Sequence, residues 1–122
     1  SPADSSWNLE WRSILLNRCW EHLETTERQN KDNFGYSALR LAVDSPDATS
    51  PELAQRLGAK VGREVTPEAF RKQVSRARKA LAQHLVDEVR QTLREPSAEA
   101  LLEELAELKL MEYVRAYLPE NR

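Results

Sequence analysis

The sequence predicts an all-α fold, a multi-helix domain that contains a helix-turn-helix and carries a C-terminal helical extension. Three observations predict it. Only three glycines occur in 122 residues. The stretches between breakers are rich in Leu, Ala, Glu, Arg and Gln, which lose little rotamer freedom in a helix. Every apolar pattern repeats with a period of about 3.6 residues, not two. With 40% hydrophobic residues, one core closing a single domain over residues 7–118 is the expectation, and residues 1–6 read as a linker at the edge of a longer polypeptide.

The first helix is expected over residues 8–28. Trp7, Trp11, Leu15, Cys19 and Leu23 recur every four residues, and Ile14, Leu16 and Trp20 widen the stripe, which reads as a mostly buried helix with its tryptophans in the core. A turn-rich break at 30–35 separates it from a short helix over 36–43, where Leu39 and Val43 are in phase. Ser50-Pro51-Glu52 is a helix start: Ser caps free N–H groups, Pro at the first helical position forfeits no bond, and Glu opposes the positive dipole end. Leu53, Ala54 and Leu57 form the apolar side of this helix before Gly58, and an extended turn is expected through Gly62 and Val65.

Thr66-Pro67-Glu68 repeats the start signal. Phe70, Val74, Ala77, Leu81, Leu85 and Val89 then keep helical phase almost to Arg94, which makes this the longest helix. Pro96 and Ser97 stop it. Over 97–118, Leu101, Leu102, Leu105, Leu108, Met111 and Val114 stand among acidic residues, an amphipathic pattern broken near Leu110. The expected cover for this stripe is the domain's own core. A partner protein held by Leu101, Leu105 and Leu108, or an acidic tail lying over the basic segment, are the alternatives.

Composition excludes several classes. One cysteine, Cys19, cannot form an intrachain disulfide, and no Cys/His cluster has metal-ligand spacing, so no cofactor or metal is expected and a reducing cytoplasm fits best. Nothing approaches the roughly 18 consecutive apolar residues of a membrane helix. No glycine-rich phosphate loop is present. His22 and His84 are far apart in sequence, with no carboxylate, Ser or Cys partner evident at a useful offset. Neither catalysis nor a small-molecule substrate is therefore expected.

The net charge of −2 is unevenly spread. Residues 56–79 carry eight basic residues against Glu64 and Glu68, a net +6, while 1–55 and 95–122 are each −4. A short capped helix, a turn and a long basic helix have the layout of a helix-turn-helix over about 50–86, in which the second helix enters the major groove. At 100° per residue, Lys72, Ser75, Arg76 and Lys79 oppose the Phe70, Val74, Ala77 and Leu81 stripe, with Arg71 and Arg78 flanking them. No acidic residue stands between Ala69 and Gln83, whereas a merely solvated face mixes signs. These cations suit phosphate oxygens and guanine edges. Arg63 in the turn, and Thr66 at the helix start, complete the set expected to face DNA.

Glu52-Leu53-Ala54-Gln55-Arg56-Leu57-Gly58 followed by Phe70-Arg71-Lys72-Gln73-Val74-Ser75-Arg76-Ala77-Arg78-Lys79-Ala80-Leu81 resembles the C-terminal, promoter-reading region 4 of bacterial extracytoplasmic-function sigma factors. The resemblance covers roughly residues 36–86, and the sequence after it is similar to members that extend beyond the helix-turn-helix. It differs from the usual pattern in a longer turn between Gly58 and Thr66, and in Glu68 and Gln73 where a small residue and an arginine are common. The resemblance implies a DNA-binding transcription initiation domain with double-stranded promoter DNA and the RNA polymerase core as partners. A helical protein-interaction or regulatory module that retains this shape is the other expectation.

Overall fold

A computed structural model describes residues 2–118, with side chains from residue 6 onward. Its elements are α1 (Pro2–Gln29), α2 (Gly35–Asp44), α3 (Ser50–Val61), α4 (Pro67–Gln91), α5 (Ala98–Glu107) and α6 (Met111–Val114), followed by a 3-10 turn at Arg115–Tyr117. No strand occurs among the described residues, and the chain is an all-α, multi-helix protein. From Pro2 onward the expected linker forms the first turns of α1, since proline suits the first helical position. Ser1 lies outside the described residues.

The chain divides into two compact units, residues 22–80 and residues 1–21 with 81–122, so α1 and α4 each contribute to both. In the 22–80 unit the end of α1, α2, α3 and the first half of α4 bury Leu23, Ala38, Leu39, Leu53, Ala54, Leu57, Phe70, Val74 and Ala77. Glu27 of α1 fastens α2, because its carboxylate accepts from the Ser37 N–H at 3.0 Å and the Ser37 hydroxyl at 2.6 Å. That pairing satisfies the buried Ser37 side chain and one free N–H of the first helical turn.

Helix α3 departs from the sequence reading at both ends. Its cap is Thr49, not Ser50: Thr49 Oγ1 accepts from Glu52 N–H at 3.3 Å and Thr49 N–H donates to Glu52 at 3.4 Å, a reciprocal capping box. At the other end the helix runs through Gly58 to Val61 and stops at Gly62, whose φ of 75° is the left-handed cap. Residues 59–61, after Gly58, are thus helix, and the connection is residues 62–66.

In the other unit Leu15, Cys19, Leu81, Ala82, Leu85 and Val89 are buried, as are Leu101, Leu105, Leu108, Leu110 and Val114 from the C-terminal helices. Ser97 caps α5 by accepting from Ala100 N–H at 3.1 Å. The helix ends as expected near Leu110. Lys109 takes a left-handed φ of 57°, and Leu110 N–H donates back to the Leu105 carbonyl at 2.8 Å. Arg12 of α1 secures this end, with its guanidinium 3.1 Å from the Tyr113 hydroxyl and 3.5 Å from the Glu112 carboxylate.

The tryptophans do not form the expected core. Trp7 is 67% exposed, and Trp11 and Trp20 are half-buried. A strict four-residue repeat advances about 40° per step beyond a full turn, so it spirals off the face that Leu15, Cys19 and Leu23 bury. Two steps before Leu15, Trp7 has left that face.

Candidate nucleic-acid interface

Helix α4 begins where Thr66 supplies its cap, with Thr66 Oγ1 accepting from Ala69 N–H at 3.0 Å and Pro67 filling the first helical position. Its inner stripe is buried as the spacing required: Phe70 is 3% exposed, and Val74, Ala77 and Leu81 are buried with it. Its other side presents Arg71, Lys72, Ser75, Arg76, Arg78 and Lys79, every one of them exposed. Lys72 has an acidic neighbour just outside the acid-free stretch, since its Nζ lies 3.5 Å from Glu68 Oε1 one turn earlier. Both side chains are well exposed, so the pair contributes little, about 0.3–0.5 kcal/mol, and a phosphate could replace the carboxylate at small cost.

Arg63 is exposed in the turn after α3, yet it is held on two sides. Its Nη1 lies 3.8 Å from the Asp32 carboxylate, and its guanidinium carbon is 4.7 Å from the centre of the Phe34 ring. Gln73, absent from the expected site, proves to organise this corner. Its Oε1 accepts from the Phe34 N–H at 3.2 Å, and its Nε2 donates to the Asp32 carbonyl at 3.2 Å. The signal available in the sequence was positional: Gln73 lies about 60° from Phe70 around the helix, at the margin of the apolar stripe, where a polar side chain reaches neighbouring backbone.

His84 Nε2 stands 3.4 Å from Glu88 Oε1, its i+4 neighbour on α4, so a carboxylate partner does exist at helical offset, contrary to the sequence reading. Glu88 also receives Arg18 at 3.2 Å. Cys19 is fully buried, and burial, followed by the negative charge of Glu88, pushes its thiol up to about 12. It is protonated at neutral pH and unsuited to nucleophilic attack. Among the described residues no group of three or more His, Cys, Asp or Glu could hold a metal, and no helix is long and apolar enough to cross a membrane.

A surface cavity of about 690 Å³ belongs to the other unit, with Val86, Leu102 and Tyr117 among its lining. Its lining begins at Ala82, just after the basic stretch, and includes none of the basic residues 56–79. Leu101, Leu105 and Leu108 are buried by the chain itself, so they offer no surface for a partner. No protein-family model, curated protein or solved structure matches this chain.

Proposed function

We propose that about residues 50–86 form a DNA-binding helix-turn-helix, with α4 as the recognition helix of a transcription initiation domain of the sigma type. The observation that carries the reading is the two-sidedness of α4: one side buries Phe70, Val74, Ala77 and Leu81, and the other exposes six residues of which five are cationic. A concentrated positive face beside a capped helix start is what a phosphate backbone attracts, and Lys, Ser and Arg side chains are the groups that read or grip it. Promoter DNA and the RNA polymerase core enter as partners through the resemblance of residues 36–86. No catalytic step, metal or cofactor is part of the proposal.

Within the face, Lys72, Ser75, Arg76 and Lys79 meet the groove, Arg71 and Arg78 grip the backbone, and Arg63 and Thr66 add contacts at the turn. Arg76 is the base reader, because a guanidinium can bond guanine bidentately where an ammonium offers a point charge. Replacing Lys72, Arg76 and Lys79 with Ala leaves the core untouched. If each cation neutralises one phosphate, the slope of log affinity against log salt shallows by about 0.9 per contact, or about 2.7 for the triple variant. The control is Arg90→Ala with Arg94→Ala, which removes charge beyond the basic stretch and should change the slope little. Equal weakening by the control pair would mean diffuse attraction and would overturn the recognition-helix assignment.

A further inference from the structure

The Gln73 amide joins segments that are far apart in sequence. One of its partners, the Phe34 N–H, can only donate, and the other, the Asp32 carbonyl, can only accept, so the amide fits one way round. The same two residues carry Arg63 on their side chains, the Asp32 carboxylate at 3.8 Å and the Phe34 ring at 4.7 Å. A single side chain on α4 therefore fixes the backbone of the very residues that hold the cation of the 62–66 turn.

Strength is not what this arrangement adds. An ion pair whose arginine is 48% exposed and whose aspartate is 83% exposed is weak, and so is an exposed cation–π contact. What it adds is placement. Arginine has large rotamer freedom, and ordering it on binding opposes affinity unless it is ordered beforehand. A guanidinium lying against a ring whose backbone is pinned has part of that freedom already restricted, and its remaining N–H groups stay available to a planar or tetrahedral oxyanion.

We infer that Gln73 is a positioning residue for Arg63: it fastens Asp32 and Phe34 to α4, and they preset the Arg63 guanidinium as a phosphate contact supplied by the turn between α3 and α4. The phosphate contact rests on the nucleic-acid reading above. The positioning does not depend on it.

The variant Gln73→Met keeps length and apolar volume and removes both amide bonds. In the full chain without DNA, the Arg63 side-chain protons, shifted by the Phe34 ring current, should move toward their unstructured positions in Gln73→Met. With a short DNA duplex, Gln73→Met should shallow the salt slope by up to about 0.9, as Arg63→Ala does, and the double variant should add nothing further. Lys79→Ala combined with Gln73→Met should add in full, which a general loosening of α4 would not produce. Unmoved Arg63 resonances, or additive effects of Gln73→Met and Arg63→Ala, overturn the inference. If Gln73→Met fails to fold, Gln73→Glu serves, since it keeps the acceptor for Phe34 N–H and loses the donor for Asp32. Displaced Arg63 resonances there support the inference and unmoved ones overturn it. A wild-type chain without salt-dependent duplex binding, whose Arg63 resonances still move on Gln73→Met, would defeat the nucleic-acid reading and leave the positioning supported.

Discussion

Gly58 and Gly62 sit four residues apart and meet opposite demands. At Gly58 the backbone is helical, and a Cβ would stand 2.7 Å from the Arg63 carbonyl oxygen, a backbone atom that cannot swing aside. At Gly62 there is open space, but the φ of 75° is one that a side chain disfavours. Gly58→Ala should destabilise by about 1–3 kcal/mol through overpacking, partly offset by the better helix propensity of alanine. Gly62→Ala should cost about 1–2 kcal/mol from conformation alone. Asparagine separates the two causes, because it tolerates the left-handed region but not the close approach. Denaturant melts should find Gly62→Asn milder than Gly62→Ala, and Gly58→Asn at least as harmful as Gly58→Ala. Equal tolerance of Asn at both positions would refute the steric account of Gly58. The sequence marks both glycines as breakers and cannot tell these roles apart, since the atom that makes Gly58 necessary belongs to Arg63, in the turn that follows the helix. The position of Gln73 at the margin of the apolar stripe was visible, but its partners were not, since they are backbone groups about forty residues away.

Helices whose apolar residues hold to the 3.6 period were legible, whereas steps of four misled in α1, legible only in its middle, and in α2, where Leu39 is buried but Val43 is 51% exposed. Helix α4 alternates steps of three and four, from Phe70 to Val74 to Ala77 to Leu81, and stays on one face, so its buried stripe and its basic face both follow from counting. The stripe of α1 rests mainly on steps of four, and the drift carries Trp7 into solvent, while Ile14 at its margin is exposed as well. A paired substitution tests this reading of α1. Leu15→Ala should cost about 2–5 kcal/mol, the usual range for a fully buried leucine, whereas Trp7→Ala should stay within about 0.5 kcal/mol despite removing a larger side chain. A large loss on Trp7→Ala, measured by the same thermal melt, would show that its side chain is covered after all. The start of α3 was missed by one residue because Thr49 and Ser50 are both good caps, and only the return bond from Glu52 selects the threonine.

At the scale of the molecule, charge and core are distributed differently. Residues 22–80 hold eleven Lys or Arg against eight Asp or Glu, a net +3, and the other unit holds seven against twelve, a net −5. A charge asymmetry of this kind was readable from the sequence and bears on association with polyanions. Whether the acidic C-terminal stripe closes a core or serves something else was not readable, because an amphipathic helix looks the same whatever covers it. The burial of Leu101, Leu105, Leu108, Leu110 and Val114 decides for the core. Each such side chain contributes about 1.5–3 kcal/mol when fully buried. Five together rival the entire stability of a small protein, about 5–15 kcal/mol. Truncation after Glu95 should therefore abolish the cooperative melt of residues 1–21 with 81–95 and reduce helicity by more than the deleted helices account for, because five of the buried apolar side chains of that unit are removed. A tail that only shields the basic helix predicts the reverse: an unchanged melting temperature and tighter duplex binding. Melting and duplex affinity measured on the same truncated sample separate the two, and an undiminished melt would sink the core assignment of the C-terminal helices.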